Sequence, residues 1–380
     1  MNNSRVTRRK VLTGALAAGA VAFPMINRGS FAFAAAPARR YSARTIRIVR
    51  ESLVIDMLAP LKLDFAPTFF DKPFGERDLA DYKASGITGF HHSLGLSGPG
   101  VKAQSVELLA AYQGWVGRQA EHFTLVGTAA DLDRAKALGK AAIIMGLQNA
   151  DQFEAVRDVQ QFYRLGLRCA QLTYNSQNMI GSGSTDRVDG GVSDFGSEII
   201  AAMNKVGMLI DTSHSSERTT LDAIELSAGP IAVTHSNCRA LAAHPRNKSD
   251  EVIRRLAAKG GVFGVTGVRM FIRDRDPTTV AHMADHIDHV VKLVGIEHVG
   301  IGSDADLNGY DDMPAEQYKQ LKASYKSSYA FRDKLDIDGF DHPLKIFDLT
   351  EELIRRGYSD AHLGLVLGGN FRRLLGGVWK

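Results

Sequence analysis

The stretch from residue 208 to residue 235, MLIDTSHSSERTTLDAIELSAGPIAVTH, contains the pattern that decides the fold. It begins and ends with a short apolar run, and the segment 219–227 between the two runs has a helical pattern. Apolar runs of this length, separated by a helix, predict two neighbouring strands of a parallel sheet. A histidine stands at the end of each run, His214 after the first and His235 after the second.

These two histidines are candidate metal ligands. Neighbouring strands lie ~4.8 Å apart, so the two imidazoles could share one ion with Zn–N bonds of ~2.0–2.1 Å. The alternative is a pair of hydrogen-bonded histidines with a structural role. The spacing makes a metal-dependent enzyme the leading hypothesis.

Strand-like and helix-like segments alternate along the whole chain beyond residue 45. The strand candidates are 52–56, 86–91, 123–126, 141–147, 169–172, 208–211, 231–234, 261–265 and 298–302. The helix candidates are 105–122, 131–138, 151–165, 193–206, 221–227, 250–259, 279–294, 344–356 and 360–375. This alternation favours an α/β fold with one closed (β/α)8 barrel over 45–380, rather than an open sheet. A polar segment at about 307–342, rich in Tyr and Lys, is predicted to be an inserted lid.

The N-terminal 36 residues have the pattern of a twin-arginine signal peptide. The stretch Thr7-Arg8-Arg9-Lys10-Val11-Leu12 precedes an apolar segment and small-residue cleavage candidates, which predicts a periplasmic protein. This segment carries five basic residues and no acidic one, so without it the net charge of +4 becomes −1. The basicity is therefore no argument for nucleic acid as a partner. No later apolar run approaches the ~20 residues of a membrane span, and we expect no stable membrane anchor.

The two cysteines, Cys169 and Cys238, lie in or beside strand-like runs. We expect buried, inert thiols rather than a disulfide.

Polar residues follow several of the predicted strands, where a barrel builds its active site. Gln148 and Asn149 follow one strand, Tyr174 and Asn175 the next, and Asp304 and Asp306 the last. Together with the histidine pair, this clustering supports an active site at the barrel mouth.

The order of these motifs gives a resemblance to a known family. The motifs are Asp211-Thr-Ser-His214, Thr234-His235-Ser-Asn237, His244-Pro-Arg-Asn247, Gly302-Ser-Asp304 and Gly368-Gly-Asn370-Phe371-Arg372. Together they resemble the renal (membrane) dipeptidase family of zinc metallopeptidases, in a divergent bacterial branch, from about Val54 to Arg373. The resemblance implies a metal-dependent hydrolase barrel with two zinc ions that cleaves dipeptides.

The resemblance also implies roles for single residues. His214 and His235 match the histidines of the second zinc site, and Asp304 matches the acid beside the metal-activated water. Arg246 matches an arginine that holds the substrate's carboxylate, and Asn175 is a further candidate for substrate binding. Tyr174 stands where relatives often have a histidine that stabilises the tetrahedral intermediate.

Three departures from the family pattern affect the first zinc site. Leu58 and Pro60 replace the first-strand His-x-Asp, and Gln148 replaces the Glu that bridges the two zincs. Leucine and proline cannot bind a metal through their side chains, and a neutral amide is a poor bridge between two dications. We therefore expect one zinc ion, held by His214, His235 and Asp304 with Gln148 as a weak contributor. Asp306 or His91 could share the task of general base with Asp304, and Asp64 could partly replace the acid that is missing from the first strand.

Three functional hypotheses stay open at this point. The leading one is a periplasmic metallohydrolase that cleaves a dipeptide or related small amide through metal-activated water. The second is a degenerate relative that binds a small carboxylated ligand. The third is a cofactor-free isomerase or lyase on the same barrel. We expect a small peptide-like substrate, no nucleic acid and a possible homodimer.

Overall fold

The computed structural model describes residues 41–64 and 67–380, and its strands form one parallel sheet. The strands of the described residues are β1 Ile55–Asp56, β2 Gly89–Leu94, β3 Phe123–Leu125, β4 Ala141–Leu147, β5 Cys169–Gln171, β6 Leu209–Asp211, β7 Ala232–Ser236, β8 Val262–Val265 and β9 Val299–Ile301. A ring of eight strands closes because β1 pairs with both β2 and β9, while β2 also pairs with β4. The short strand β3 pairs with the first half of β4. The predicted (β/α)8 barrel is confirmed.

Helices lie between most of the strands. They are α1 Ala43–Glu51, α2 Glu76–Ser85, α3 Val101–Gly117, α4 Ala129–Leu138, α5 Val156–Arg164, α6 Asp194–Val206, α7 Glu217–Leu226, α8 Asp250–Ala258, α9 Arg269–Ile272, α10 Val280–Val294, α11 Ala315–Ser324, α12 Lys345–Arg355, α13 Asp360–Gly364 and α14 Asn370–Val378. Short 3-10 turns occur at Pro67–Asp71, Ile296–His298, Gly309–Asp312 and Ser327–Tyr329, and a π-type turn occurs at Leu365–Gly369.

Local sequence signals set the ends of several helices. The hydroxyl of Ser193 accepts a hydrogen bond from the Gly196 amide at the start of α6, and Ser249 caps α8 in the same way. Gly207 ends α6 with a left-handed φ of 80°. These caps bring each chain segment back to the sheet, so that the next strand starts at the same end of the barrel.

Most predicted helices and strands differ from the described ones at their ends, whereas α1, α2 and α11 were not predicted and the candidate 360–375 is divided into α13, a π-type turn and α14. The first strand candidate, 52–56, shortens to Ile55–Asp56. The second candidate, 86–91, is shifted forward, and β2 continues to Leu94 because it pairs with β4 as far as Leu147. His91 therefore lies within a strand instead of at its end. The two cysteines are buried free thiols, as expected.

One core cluster lies between the strands and the last helix. It joins Ile55, Leu132, Leu209 and Val262 to Phe371 of α14, all at most 1% exposed. A side chain at Gly300 of β9 would overlap the Phe371 ring, so the glycine allows this helix to approach. The cluster stabilises the strands whose opposite ends carry the polar residues.

The predicted signal peptide, 1–36, lies outside the described residues. Within 41–64 and 67–380, no helix combines the length and the apolar character that a membrane crossing requires.

Candidate active site

A cavity of about 480 Å³ lies at the C-terminal ends of the strands. The predicted site residues His214, Asp304, Gln148, Tyr174 and Asn175 all line this cavity. The barrel therefore brings together residues that are up to 156 positions apart, from Gln148 to Asp304. This is the expected position of an active site in such a barrel.

The two histidines face each other, but only His214 is among the described residues that line the cavity, because His235 is fully buried beside it. Their Nε2 atoms are 3.0 Å apart, and both side chains are at most 2% exposed. Burial, followed by the charge of Arg246, lowers the pKa of both imidazoles well below the usual value. Both rings are therefore neutral at physiological pH.

A buried carboxylate fixes the tautomer of His235. The Thr234 hydroxyl donates to Asp211 Oδ2 at 2.6 Å, so its oxygen accepts the Nδ1–H of His235 at 2.8 Å. The Ser213 hydroxyl donates to the other oxygen of Asp211 at 2.6 Å. With its proton on Nδ1, His235 presents the Nε2 lone pair to His214.

An amide oxygen orients His214 in the same way. The Nδ1–H of His214 donates to Asn175 Oδ1 at 2.8 Å, and the Ser184 hydroxyl donates to the same oxygen at 3.2 Å. The Tyr174 ring stacks on the imidazole with centroids 4.2 Å apart and planes inclined by 20°. His214 therefore also turns its Nε2 lone pair toward His235.

A bulge in β7 positions His235. The pairing of β7 with β8 shifts between Val233 and Ser236, which pushes the Thr234 carbonyl out of the regular ladder. A Cβ at Gly264 or at Gly302 would lie within 2.0 Å of that carbonyl oxygen. The neighbouring strands thus need glycine at both positions to accommodate the bulge.

The histidine pair fits a metal ion. Two Nε2 lone pairs at 3.0 Å repel each other unless a cation lies between them, and neutral imidazole with Nδ1–H held by an acceptor is a favoured metal ligand. In the described part of the chain, no group of three or more His, Cys, Asp or Glu side chains is placed to hold a metal. Asp304 lines the same cavity, and its ligation of a metal stays a prediction.

Asp304 is held in an unusual backbone conformation. Its φ is 61°, and its amide donates to the Leu58 carbonyl at 2.8 Å. Asn175, with φ 58°, is the other cavity residue in this left-handed region. Strained backbone of this kind concentrates at functional sites. Burial, with a smaller effect of two neighbouring carboxylates, raises the pKa of Asp304 to about 7 against the opposing charge of Arg246.

Gln148 belongs to a row of amides beneath the histidines. Its Nε2 donates to the Ser93 carbonyl at 3.0 Å, and its oxygen accepts from Gln171 Nε2 at 3.4 Å. The oxygen of Gln171 in turn accepts from the His214 backbone amide at 3.1 Å. In the structure Gln148 supports this row, and its predicted metal contact stays a prediction.

Arg246 lies behind the histidine pair and is fully buried. Its guanidinium donates to the backbone carbonyls of Ser213 and His235, and its Nε is buried without a partner among the described residues. It does not line the cavity as the structure has it. Arg246 thus ties together the two strand ends that carry the histidines, and its predicted contact with a substrate carboxylate stays a prediction.

Neither the alternative general bases, Asp306 and His91, nor Asp64, the candidate replacement for the missing first-strand acid, lines the cavity. Asp306 accepts the backbone amides of Leu63 and Asn308, at 2.8 and 2.9 Å. His91 is buried in the barrel interior, where its Nδ1–H donates to the Met57 carbonyl at 2.6 Å. Asp64 accepts from Gln317 at 3.4 Å. These three side chains contact nearby backbone or the segment 307–342. Among the described residues that line the cavity, Asp304 is the one carboxylate.

Sequence reasoning missed the residues that orient the site. Asp211 and Thr234 stand within the motifs, but their spacing gives no sign that a hydroxyl links the carboxylate to His235. The tyrosines of the predicted lid were also missed as cavity residues. Tyr325 contacts Tyr174 through their hydroxyl oxygens, 2.7 Å apart, and the Tyr310 hydroxyl donates to the Asp304 carbonyl at 2.8 Å.

Comparison with known proteins assigns the family. Residues 50–325 match the model of the membrane dipeptidase family, peptidase family M19. The chain belongs to this family of metallopeptidases, which confirms the predicted resemblance.

Individual relatives agree with this assignment. A dipeptidase of Clonostachys rogersoniana is 32% identical over 69% of this chain, and the match spans 61% of that protein's length. The crystal structure of an amidohydrolase from Pseudomonas aeruginosa is 30% identical, with a TM-score of 0.76 over 88% of this chain and 99% of that one. A metallopeptidase from Rhodobacter sphaeroides, liganded with a phosphinate mimic of L-Ala-D-Ala, shares the fold at 21% identity and a TM-score of 0.69, covering 87% of this chain and 100% of that one.

Proposed function

We propose that the chain is a single-metal hydrolase that cleaves a dipeptide or a related small amide. The observation that carries the proposal is the pair of Nε2 atoms 3.0 Å apart, each on an imidazole whose Nδ1 is held by an acceptor. A zinc ion held by His214 and His235 would act as a Lewis acid toward a substrate carbonyl and toward water. The loss of metal-binding side chains at Leu58 and Pro60 supports one ion instead of two.

The chain's own residues would supply the remaining functions. Asp304 lines the cavity, and in the chain without metal burial raises the pKa of its carboxyl to about 7. As the carboxylate beside the metal-activated water, it would accept and return a proton. The Tyr174 hydroxyl would donate to a developing oxyanion once it exchanges its contact with Tyr325 for one with substrate. Residues of the segment 307–342 line the cavity, and exclusion of water by this segment would strengthen these electrostatic interactions.

We further propose that the protein is exported to the periplasm through its twin-arginine segment, without a stable membrane anchor. The order of basic, apolar and small residues at the N-terminus supports this proposal. A fusion of residues 1–36 to a reporter that is active only after folded export tests it. Replacement of Arg8 and Arg9 by lysine should abolish export.

The test of the catalytic proposal combines elemental analysis with a dipeptide panel. Purified protein should contain about one zinc-like ion per chain and hydrolyse at least one dipeptide in the presence of Zn²⁺ or Mn²⁺. Two ions per chain would contradict the single-metal proposal. Metal binding without hydrolysis across the panel would instead favour a relative that only binds a small carboxylated ligand.

A further inference from the structure

Two groups of side chains matter for what the cavity can bind. The strand ends and the residues that follow them contribute polar side chains, among them His214 and Asp304, together with the apolar Pro60, Leu63, Leu94 and Leu96. A second group, here named the lid wall, is apolar. It consists of Val268, Met270, Met313, Leu321, Phe331 and Leu335. The first two follow β8, and the other four belong to the segment 307–342.

Five of the six lid-wall side chains, all except Met313, belong to or pack against one apolar cluster. Val268, Met270 and Leu335 are 3–6% exposed and belong to one core cluster, against which Leu321 and Phe331 pack. The Tyr325 ring lies 5.3 Å from the Phe331 ring and anchors this cluster to Tyr174. The wall is therefore a preformed surface, because its side chains support one another before any ligand arrives.

Few charges face the cavity. Among the lining residues that the structure describes, the charged side chains are Asp304 and Lys326. Lys326 lies 3.6 Å from Asp186, so its charge already has an acidic neighbour. A charged group directed at the lid wall would lose its hydration without gaining a partner.

We propose that the enzyme selects dipeptide-like amides with one large apolar side chain, aromatic or branched aliphatic, which packs on the lid wall. This inference rests on the proposed function, because the reacting amide must lie beside His214 and Asp304 for the side chain to reach the wall. The lid wall thus determines the specificity for one of the two residues of the substrate.

Binding of matched phosphinate dipeptide mimics to the full-length, metal-loaded chain tests this inference. The mimics carry Ala, Leu, Phe, Glu or Lys side chains at one position and then at the other, and calorimetry measures each Kd. At one position, the Leu or Phe mimic should bind about ten- to a hundredfold more tightly than the Ala mimic. The Glu and Lys mimics should bind no more tightly than the Ala mimic at that position.

Variants connect this preference to the lid wall. Leu321→Ala and Phe331→Ala alter half-buried side chains and should each reduce the Phe-to-Ala ratio at least threefold, with little change for the Ala mimic. Leu138→Ala is a matched control, because Leu138 is 62% exposed on α4 and does not line the cavity. Thermal unfolding of each variant confirms that the fold is kept.

The outcomes separate this inference from the proposed function. Equal affinity for all mimics, or tighter binding of a charged one, would overturn the apolar preference even if dipeptides are hydrolysed. Tight binding of the Leu or Phe mimic without turnover of any matched dipeptide would support the lid wall and contradict the proposed function. Failure of every mimic to bind would overturn both.

Discussion

Two strand ends at the mouth of the barrel share one hydrogen-bond pattern around a buried aspartate, here named the aspartate frame, but they carry different side chains. Asp211 ends β6, and its Oδ1 accepts the amide of Ser213, two residues on, and of Thr234 on the next strand. Asp56 ends β1, and its Oδ1 accepts the amides of Leu58 and Ser303 in the same pattern. In both places a buried aspartate ties its own turn to the neighbouring strand.

The residues that follow decide the chemistry. At the Asp211 site, the imidazoles of His214 and His235 face each other, and His214 lines the cavity. At the Asp56 site, Ala59 and Asp304 stand where His214 and His235 stand at the other one. Leu58 and Pro60, the positions predicted to have lost the ligands of the first zinc site, are buried. The aspartate frame is therefore a structural feature of the barrel mouth. It can become a metal site only where metal-binding side chains follow it.

The largest effect is expected from removing one of the two imidazoles. His214→Ala or His235→Ala should lower the metal content from about one ion per chain to near zero, because one remaining imidazole cannot hold a catalytic ion. Hydrolysis should fall about a thousandfold or more, since the Lewis acid supplies several kcal/mol. Elemental analysis and steady-state kinetics measure both. His362→Ala, an exposed histidine on α13, is the control, and full activity in either cavity variant would remove the pair from the mechanism.

The second-largest effect is a loss of metal affinity that we expect at one aspartate frame and not at the other. Asp211→Asn removes the carboxylate that accepts the Thr234 hydroxyl, so the Nδ1 proton of His235 is no longer fixed. Metal affinity, measured by competition with a chelating dye, should fall about 10- to 100-fold. The matched change Asp56→Asn should leave metal affinity unchanged. Equal losses in both variants would mean that the frames act only through general stability.

The free energy of unfolding at acid pH tests the region around β1 and β2. His92 is 1% exposed, its Nδ1 accepts the Leu61 amide at 3.1 Å, and burial lowers its pKa to about 3. The unfolded chain, with a histidine pKa of about 6.5, binds this proton more readily than the folded chain. Stability from neutral His92 is therefore present above pH 6.5 and lost as the pH falls toward 3.

The loss that this one group causes between pH 7 and pH 5 is about 2 kcal/mol. His92→Gln keeps an acceptor for the Leu61 amide but removes the titration, so the unfolding free energy should vary less with pH. Urea unfolding at both pH values measures the difference. His362→Gln, on the surface, should retain the wild-type dependence. An unchanged slope in His92→Gln would mean that His92 does not titrate in this range.

The smallest effect concerns the lid. Tyr325→Phe removes the hydroxyl contact with Tyr174, which stacks on His214. A single hydrogen bond contributes about 0.5–1.5 kcal/mol, so we expect KM to rise roughly two- to tenfold with kcat little changed. Tyr318→Phe makes the same change in the same segment, where the hydroxyl donates to the Asp333 carbonyl. A similar rise in both variants would assign the effect to lid stability alone.

Much of the fold could be predicted because its signals are local. Apolar runs, serine caps such as Ser193 and glycine stops such as Gly207 depend on neighbouring residues, so the alternation of strands and helices is visible in the chain. The end of β2 could not be predicted, because it depends on pairing with β4, about 50 residues away. The position of Tyr325 at the cavity could not be predicted either, because it depends on a contact with Tyr174, which is distant in the sequence.

The sequence by itself determined that His214 and His235 close two apolar runs that predict adjacent strands, and it predicts that Leu58, Pro60 and Gln148 depart from the family pattern. Only the tertiary structure decided how the histidines are oriented. A hydroxyl and a carboxylate from different strands fix the proton of His235, and a bulge allowed by Gly264 and Gly302 sets its position. The order of strands and helices follows from local hydrophobicity, whereas a tautomer follows from hydrogen bonds that exist only after the barrel closes.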